Sequence, residues 1–310
     1  MYIGGQFMGI KYDFTFAELA IDFLETGDTT ILQKIAELEA TKHIYNHATN
    51  FNKDHMPASS TLELVTHLLT PLENHKKYVP QVIRNIEYTK EHIVSTGISE
   101  SIALQFLPKN FTFTGTLFFT FGYDIGVAFG NNCSINLAHS IFSDSNKMSE
   151  LKYWAIHELH HTGFITLEDV NMFSLDISTR KDMAEIIEYL THMEGMATYA
   201  PLSIRKQENA LNTFSDYITL QDQSLLDSLI NEYSDIYCYF KDSPDTPLVE
   251  EDGHKLNILS DIKRLWYVVG AHIAETIDIH LGRDYLTSLI SKPSENFIAT
   301  YIDIIRGLKL

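Results

Sequence analysis

Hydrophobic positions in the first hundred residues recur at steps of three and four, which is the spacing of an amphipathic helix. The pattern runs from Phe14 to about Tyr45 and continues over Ser60–Leu69 and Val79–Val94, where Gly97 follows as a helix terminator. We therefore predict a mostly helical N-terminal part.

The period then changes from helical to alternating. Over Phe111–Phe121, phenylalanine and leucine alternate with threonine, a pattern typical of a half-buried strand. A second strand is predicted over Ile125–Phe129 and a third over Cys133–Leu137, with a hairpin turn at Gly130-Asn131-Asn132 between them. These segments predict a small mixed or antiparallel sheet.

Helical spacing returns after Ser149, with loops expected at Asp242–Gly253 and Lys292-Pro293. The whole pattern predicts a mostly helical α+β fold of the zincin-like type in a single domain, 1–310. Within it we expect a helical N-terminal part (1–105), the sheet with the helices that carry the candidate site (106–200), and a helical C-terminal part (201–310).

The charge balance argues against two classes of partner. The chain has 41 acidic and 23 basic residues, a formal net charge of −18, and no concentrated basic patch. Such a surface repels phosphate backbones and anionic lipids. The aromatic segment Phe111–Phe121 has only Lys109 nearby, so we interpret it as core and not as a base-stacking platform. We expect no nucleic-acid partner.

The cysteines and the apolar runs indicate the compartment. Cys133 and Cys238 lie far apart, without the spacing of a disulfide framework or a thiolate zinc site. No apolar run approaches the roughly 20 residues of a membrane span, and no signal-peptide pattern opens the sequence. We expect a cytoplasmic protein without a membrane span, although a signal peptide removed beforehand would leave no trace.

The chemistry is concentrated in SELKYWAIHELHHTGF, residues Ser149–Phe164. Ser149 is a good N-cap and Gly163 a helix terminator, so the segment predicts a helix. Residues four apart share a helix face, so His157 and His161 can bind one tetrahedral Zn²⁺ at about 2.0–2.1 Å each. Glu158 lies beside them, within reach of a metal-bound water.

This arrangement supplies the parts of metal-assisted hydrolysis. The ion lowers the pKa of a water toward about 7 and polarises the substrate carbonyl, while Glu158 takes the proton and returns it to the leaving group. His160 points about 100° away from His161, so we expect it to pack or to support the site. Asp169 is a candidate for orienting a ligand histidine. The alternative interpretation is that the segment is a solvated helix face rich in His and Glu, with no metal site. If it does bind a metal, two histidines and a carboxylate also suit Fe, Mn or Co.

A catalytic zinc site usually has three protein ligands. No histidine or aspartate follows His161 at the short spacing of metzincin-type proteases, so the third ligand should come from a later helix. The stretch over residues 180–200 offers Glu185, Glu188, His192 and Glu194.

An HExxH helix followed by a helix with Glu-Gly-x-Ala-x-Tyr resembles the gluzincin metallopeptidases. Glu194-Gly195-Met196-Ala197-Thr198-Tyr199 matches the second motif, and the resemblance implies that Glu194 is the third ligand. Here 32 residues separate His161 from Glu194, more than in thermolysin-like relatives, so Glu185 and Glu188 stay open.

The chain most resembles a group of predicted zinc-dependent proteases (DUF2268 and DUF5700). The resemblance covers about 111–301 and implies hydrolysis of peptide or protein substrates. The matching segments are Asn136-Leu137, Tyr267 to Ala271, Gly282-Arg283 and Pro293 to Phe297.

Gluzincin relatives often use a Tyr or His on a C-terminal helix to stabilise the oxyanion. In the predicted helix Ile262–His280 the resemblance makes Tyr267 the first candidate and His272 the second; ordinary core packing is the alternative for both. Relatives also lay the peptide antiparallel to an edge strand before the metal helix, which implies Gly126–Asn132 or Ser134–Asn136 here.

The sequence thus predicts a zinc-dependent peptidase. His157, His161 and Glu194 bind the metal, Glu158 is the general base, and Tyr267 or His272 stabilises the tetrahedral intermediate. Two other functions remain open: a metal-binding protein without useful turnover, and a zinc hydrolase of an ester or a non-peptide amide.

Overall fold

A computed structural model describes residues 9–51, 58–167 and 177–307. The chain divides into two units: unit 1 comprises Met1–Ala103 and Phe111–Thr166, and unit 2 comprises Leu104–Asn110 and Leu167–Leu310. The described residues are predominantly helical and include a small mixed sheet, which confirms the predicted α+β class.

Unit 1 contains the sheet, surrounded by helices. Its elements are β1 (Lys11–Asp13), α1 (Thr15–Thr26), α2 (Thr30–Ala36), α3 (Glu39–Phe51), α4 (Thr61–Leu69), α5 (Leu72–His75), α6 (Val79–Thr89), α7 (Ile98–Leu104), β2 (Thr116–Thr120), β3 (Gly126–Phe129), β4 (Asn132–Asn136) and α8 (Ser149–Leu167).

The strands lie in the order β1-β2-β4-β3. The β1–β2 and β2–β4 pairs are parallel, and β3–β4 is an antiparallel hairpin whose turn places Gly130 at a φ of 61°. Adjacent residues Leu117, Phe118 and Phe119 of β2 are all buried, so this strand is covered on both faces. The prediction of a half-buried strand was wrong, because alternation with threonine does not reveal how many faces are covered.

Helix α3 lies against one face of the sheet through two histidines. The His43 Nε2 is 3.3 Å from the Val127 carbonyl oxygen of β3, and the His47 Nδ1 is 2.9 Å from the Tyr123 hydroxyl. Burial lowers the pKa of His43 to about 4, and burial together with His43 lowers that of His47 to about 4. Neutral imidazoles thus form part of the support for β3.

Two side-chain amides of α6 hold the connection from β4 to α8. The Gln81 amide donates to the carbonyls of Leu137 (3.1 Å) and His139 (2.8 Å). The Asn85 amide donates to the carbonyls of Leu137 (2.9 Å) and Phe142 (3.3 Å). Buried carbonyls without partners are costly, so these bonds stabilise the path of the chain into α8.

Helix α8 has Ser149 as its first residue, one position beyond the predicted N-cap role, and it continues through Gly163 to Leu167. The prediction that Gly163 ends the helix was wrong. A glycine inside a helix lowers its stability by about 1 kcal/mol relative to alanine, and favourable packing easily outweighs so small a loss. Gly163 lies within a helix that is buried on all sides over most of its length.

Unit 2 is helical over its described residues. Its helices are α9 (Arg180–Tyr199), α10 (Leu202–Gln207), α11 (Ser215–Gln221), α12 (Gln223–Lys241), α13 (Glu250–Asn257), α14 (Leu265–Leu281), α15 (Arg283–Ser288) and α16 (Glu295–Ile305). Part of the predicted loop before Gly253 is helical, because α13 already begins at Glu250. No described helix in either unit is long and apolar enough to cross a membrane.

The helices α9 and α14 cross at two glycines. A Cβ on Gly195 would lie 2.4 Å from the Cα of Gly270, and a Cβ on Gly270 would lie 2.4 Å from the Thr191 carbonyl oxygen. The two backbones are therefore in direct contact. Close packing of helices explains the glycine that follows Glu194 in the sequence motif.

We expect Gly195→Ala to lower the free energy of unfolding by about 1–3 kcal/mol, because a methyl group there meets backbone that cannot move independently. Gly253→Ala is the matched control: Gly253 is an exposed helical glycine with open space around its Cβ position, and we expect a gain of roughly 0.5–1 kcal/mol. Urea unfolding of both variants measures the difference, and an unchanged Gly195→Ala variant would contradict the backbone contact.

His43 makes the stability of unit 1 sensitive to acid. Its folded-state pKa of about 4 lies below the unfolded value of about 6.5, so its stabilising contribution is complete above pH 6.5 and is lost as the pH falls toward 4. In His43→Gln, which keeps an amide donor for Val127, we expect a shallower loss of unfolding free energy across this range. The exposed His92→Gln variant is the control, and equal pH slopes in wild type and His43→Gln would contradict the assignment.

Candidate metal centre

His157 and His161 project side by side from one face of α8. Their Nε2 atoms lie 2.9 Å apart, and the rings are nearly perpendicular with centroids 4.4 Å apart. Two donors bound to one tetrahedral zinc at about 2.0–2.1 Å lie roughly 3.3 Å apart. The pair therefore needs to open by only a few tenths of an ångström to hold such an ion.

The neighbours of the pair on α8 are aromatic. The Trp154 ring lies 5.2 Å from the His157 ring, and the His160 ring lies 6.2 Å from that of Phe164. His160 is completely buried. Its contact with Phe164 agrees with the packing role expected for it from its angle around the helix.

Glu158 is buried against the edge strand β3. Only 2% of it is exposed, and a Cβ placed on Gly126 would lie 2.5 Å from the Glu158 Oε1 and 2.7 Å from its Cδ. The glycine thus leaves the space that the carboxylate occupies. A glycine inside a strand often marks a point where another group approaches the backbone closely, and here that group is the Glu158 side chain.

The outer edge of β3 pairs with no strand among the described residues. The Asn136 N–H donates to the Ile125 carbonyl at 2.9 Å, so by the alternation of an antiparallel pair the backbone N–H and C=O of Val127 point toward β4. The N–H and C=O groups of Gly126 and Ala128 then point away from β4. No described strand pairs with β3 on that side, and an extended peptide can add there.

In unit 2, Arg264 stacks on the Tyr267 ring and interacts electrostatically with the half-buried Glu194. Its Nε and Nη2 donate to the two carboxylate oxygens of Asp216 at 2.8 and 3.0 Å, and its guanidinium carbon lies 3.7 Å from the centroid of the Tyr267 ring. Burial opposes the charge, but Asp216, Tyr267 and Glu194 together raise the pKa of Arg264. Arg264 is therefore a permanent cation in the neighbourhood of both candidate residues.

His272, the second candidate for oxyanion stabilisation, has different surroundings. Its ring meets that of Tyr301 edge-on with centroids 5.7 Å apart, and burial lowers its pKa against the opposing effects of Glu275 and Asp227. It follows Tyr267 by five positions, which places the two about 140° apart around α14. They do not share a face of the helix.

The two alternative glutamates on α9 have other partners. Glu188 is buried and accepts hydrogen bonds from the Tyr237 hydroxyl (2.5 Å) and the Lys241 ammonium (2.7 Å). Glu185 is 60% exposed and lies 3.8 Å from the Lys181 ammonium. Glu188 serves the contact between α9 and α12, and Glu185 faces solvent.

Two further polar residues of α9 also have structural contacts. The His192 ring stacks on Phe297 with centroids 4.4 Å apart, and its Nδ1 is 3.2 Å from the Ser294 hydroxyl. The Tyr199 hydroxyl donates to Asp278 at 2.7 Å. These contacts join α9 to α16 and α14.

Two features of the site were not predicted. The Arg264–Asp216 pair joins residues 48 positions apart, and no local pattern identifies such a pair. Gly126 did leave a signal, because an isolated glycine in a predicted strand often marks a close backbone approach. The candidate Asp169 lies outside the described residues.

Gly126→Ala should cost about 1–3 kcal/mol of stability, because its methyl group overlaps the Glu158 side chain. In a Glu158→Ala background we expect most of that cost to disappear, since the overlapping atoms are gone. A double-mutant cycle measured by urea unfolding isolates this coupling. Equal costs in both backgrounds would show that the two side chains do not compete for space.

A family model described as putative zinc dependent peptidase (DUF5700) matches residues 25–309, a span that includes α8, α9 and α14. No curated protein and no solved structure gives a significant match. The family match extends over most of the chain and confirms the resemblance inferred from the sequence motifs. The chain therefore belongs to the DUF5700 family of putative zinc-dependent peptidases.

Proposed function

We propose that this protein hydrolyses peptide bonds and that His157, His161 and Glu194 hold its Zn²⁺. Each residue offers one ligand atom, and together they provide the two imidazole nitrogens and one carboxylate oxygen of a known catalytic zinc set. The observation that carries the proposal is the pair of Nε2 atoms 2.9 Å apart on one face of α8.

Glu194 is the preferred third ligand among the glutamates of α9. Glu188 already accepts bonds from Tyr237 and Lys241, and Glu185 faces solvent. Binding a metal through Glu188 would leave the Lys241 ammonium without its carboxylate. Glu194 is half-buried, and it is the glutamate that the gluzincin motif assigns to the metal.

A bound zinc ion would make a water more acidic and polarise the substrate carbonyl. Glu158 takes the proton from the attacking water as general base and then delivers it to the leaving amine as general acid. Its burial against Gly126 fixes the carboxylate beside the strand that receives the peptide. Fixed geometry of this kind is what makes a carboxylate an effective proton carrier.

The peptide extends along β3 and pairs with the outward N–H and C=O groups of Gly126 and Ala128. Main-chain hydrogen bonds of this kind give affinity without requiring a particular side chain. The scissile carbonyl then lies close to Gly126, because Glu158 contacts that residue.

Tyr267 is the first choice for the group that stabilises the oxyanion, with its hydroxyl as the donor. The Arg264 guanidinium covers one face of its ring, and Asp216 in turn holds Arg264 with two hydrogen bonds. His272 is the second choice, since its ring packs against Tyr301 on another side of α14.

In Glu158→Gln, we expect turnover of a mixed peptide library to fall by about 10²–10⁴-fold, because an amide cannot accept the proton. The zinc content, measured by elemental analysis, should stay near that of the wild type. His161→Ala should instead lose the metal, and Glu185→Gln, at an exposed position of α9, should change neither quantity.

Wild-type turnover in Glu158→Gln would refute the mechanism whatever the metal content. Zinc without cleavage of any peptide in the wild type would favour a binding protein. Chelator-sensitive hydrolysis of esters alone would favour a hydrolase of another substrate class.

A further inference from the structure

The two faces of β3 have different neighbours. Gly126 faces α8, since a Cβ there would meet Glu158. Side chains alternate along a strand, so Ala128 shares that face, whereas Val127 and Phe129 face α3. The contact of the Phe129 ring with the ring of Phe51 in α3 agrees with this assignment.

An aromatic ledge, consisting of His47, Phe51 and Phe129, lies on the α3 side of the strand. The rings of Phe51 and Phe129 meet nearly edge-on with centroids 6.3 Å apart, and the rings of His47 and Phe51 lie 5.1 Å apart. Phe51 is 41% exposed although it is a large apolar residue, whereas Val127 is 6% exposed. The ledge thus presents apolar surface beside the free edge of β3.

We propose that the aromatic ledge is a specificity site that binds an aromatic or branched aliphatic side chain of the substrate, on the N-terminal side of the scissile bond. This inference rests on the proposed peptidase function and on the addition of the peptide to β3. It assigns a substrate preference to residues of α3 and β3 that the zinc chemistry does not use.

The position of the preferred side chain follows from strand geometry. Residues directly opposite each other in a sheet point to the same face. In an antiparallel peptide, the residue opposite Phe129 precedes the one opposite Gly126 by three positions and points toward α3. The scissile bond lies at Gly126, next to Glu158, so the residue opposite Phe129 lies upstream of it and meets Phe51.

The experiment is a comparison of two peptides that differ at this one upstream position, which carries Phe in one and Ala in the other. Cleavage of a peptide library randomised on both sides of the cleaved bond first establishes where the bond is cut, and so which upstream position lies opposite Phe129. For the wild type we expect kcat/KM to favour the Phe peptide by about 10-fold or more, mainly through KM. Phe51→Ala should abolish that preference by lowering kcat/KM for the Phe peptide to about the value for the Ala peptide.

Two further variants separate binding from folding. Phe51→Leu keeps an apolar side chain and should retain most of the preference. Leu62→Ala removes an equally exposed apolar residue (40%) from α4 and should leave the preference unchanged. Melting temperatures of all variants confirm that each is folded under the assay conditions.

An unchanged preference in Phe51→Ala would overturn the inference, and so would a preference located downstream of the cleaved bond. Either result would leave the peptidase function intact. If the wild type cleaves no member of the library, the proposed function itself fails and this inference fails with it.

Discussion

The close approach of α8 to the edge strand β3 is the constraint on which the arrangement of unit 1 depends. The Glu158 carboxylate occupies the space that a side chain at position 126 would take. To keep the carboxylate in this place, α8 must be fixed both in its rotation about its axis and in its position along the axis. A shift of one residue would turn the Glu158 side chain away from Gly126. The amides of Gln81 and Asn85 secure the chain entering α8 and so contribute to that requirement.

Unit 2 fixes its own candidate residues by a different means. The glycine contact between α9 and α14 sets the register of two helices at the level of the backbone. Arg264, at the start of α14, is anchored by Asp216 and covers the Tyr267 ring. The packing of α9 on α14 and the ion pair of Arg264 with Asp216 thus determine the positions of the Tyr267 phenol and of Glu194.

The sequence predicted the parts that depend on local spacing. The helical positions of His157, Glu158 and His161 followed from steps of three and four, and α9 was placed almost to the residue. The family match confirms the resemblance that these motifs carried. The roles of the individual residues, and Glu194 as the third ligand, remain proposals.

Features that depend on distant partners could not be predicted in this way. The three-residue strand β1 exists only because β2 pairs with it, and Gly163 stays helical only because α8 is buried. The ion pair of Arg264 with Asp216 joins distant positions, so it produces no periodic pattern in the sequence. Close approaches to a backbone become visible in a sequence only as glycines, and the sequence does not identify the groups that approach Gly126, Gly195 and Gly270.

The open edge of β3 also has a consequence for the behaviour of the protein at high concentration. A strand edge that pairs with no other described strand and lies beside an apolar surface attracts any extended chain, and that includes the same edge of a second copy. The formal charge of −18 opposes such self-association, because two copies repel each other before their edges can meet. Added salt weakens this repulsion, so colloidal stability should depend on ionic strength more than the fold itself does.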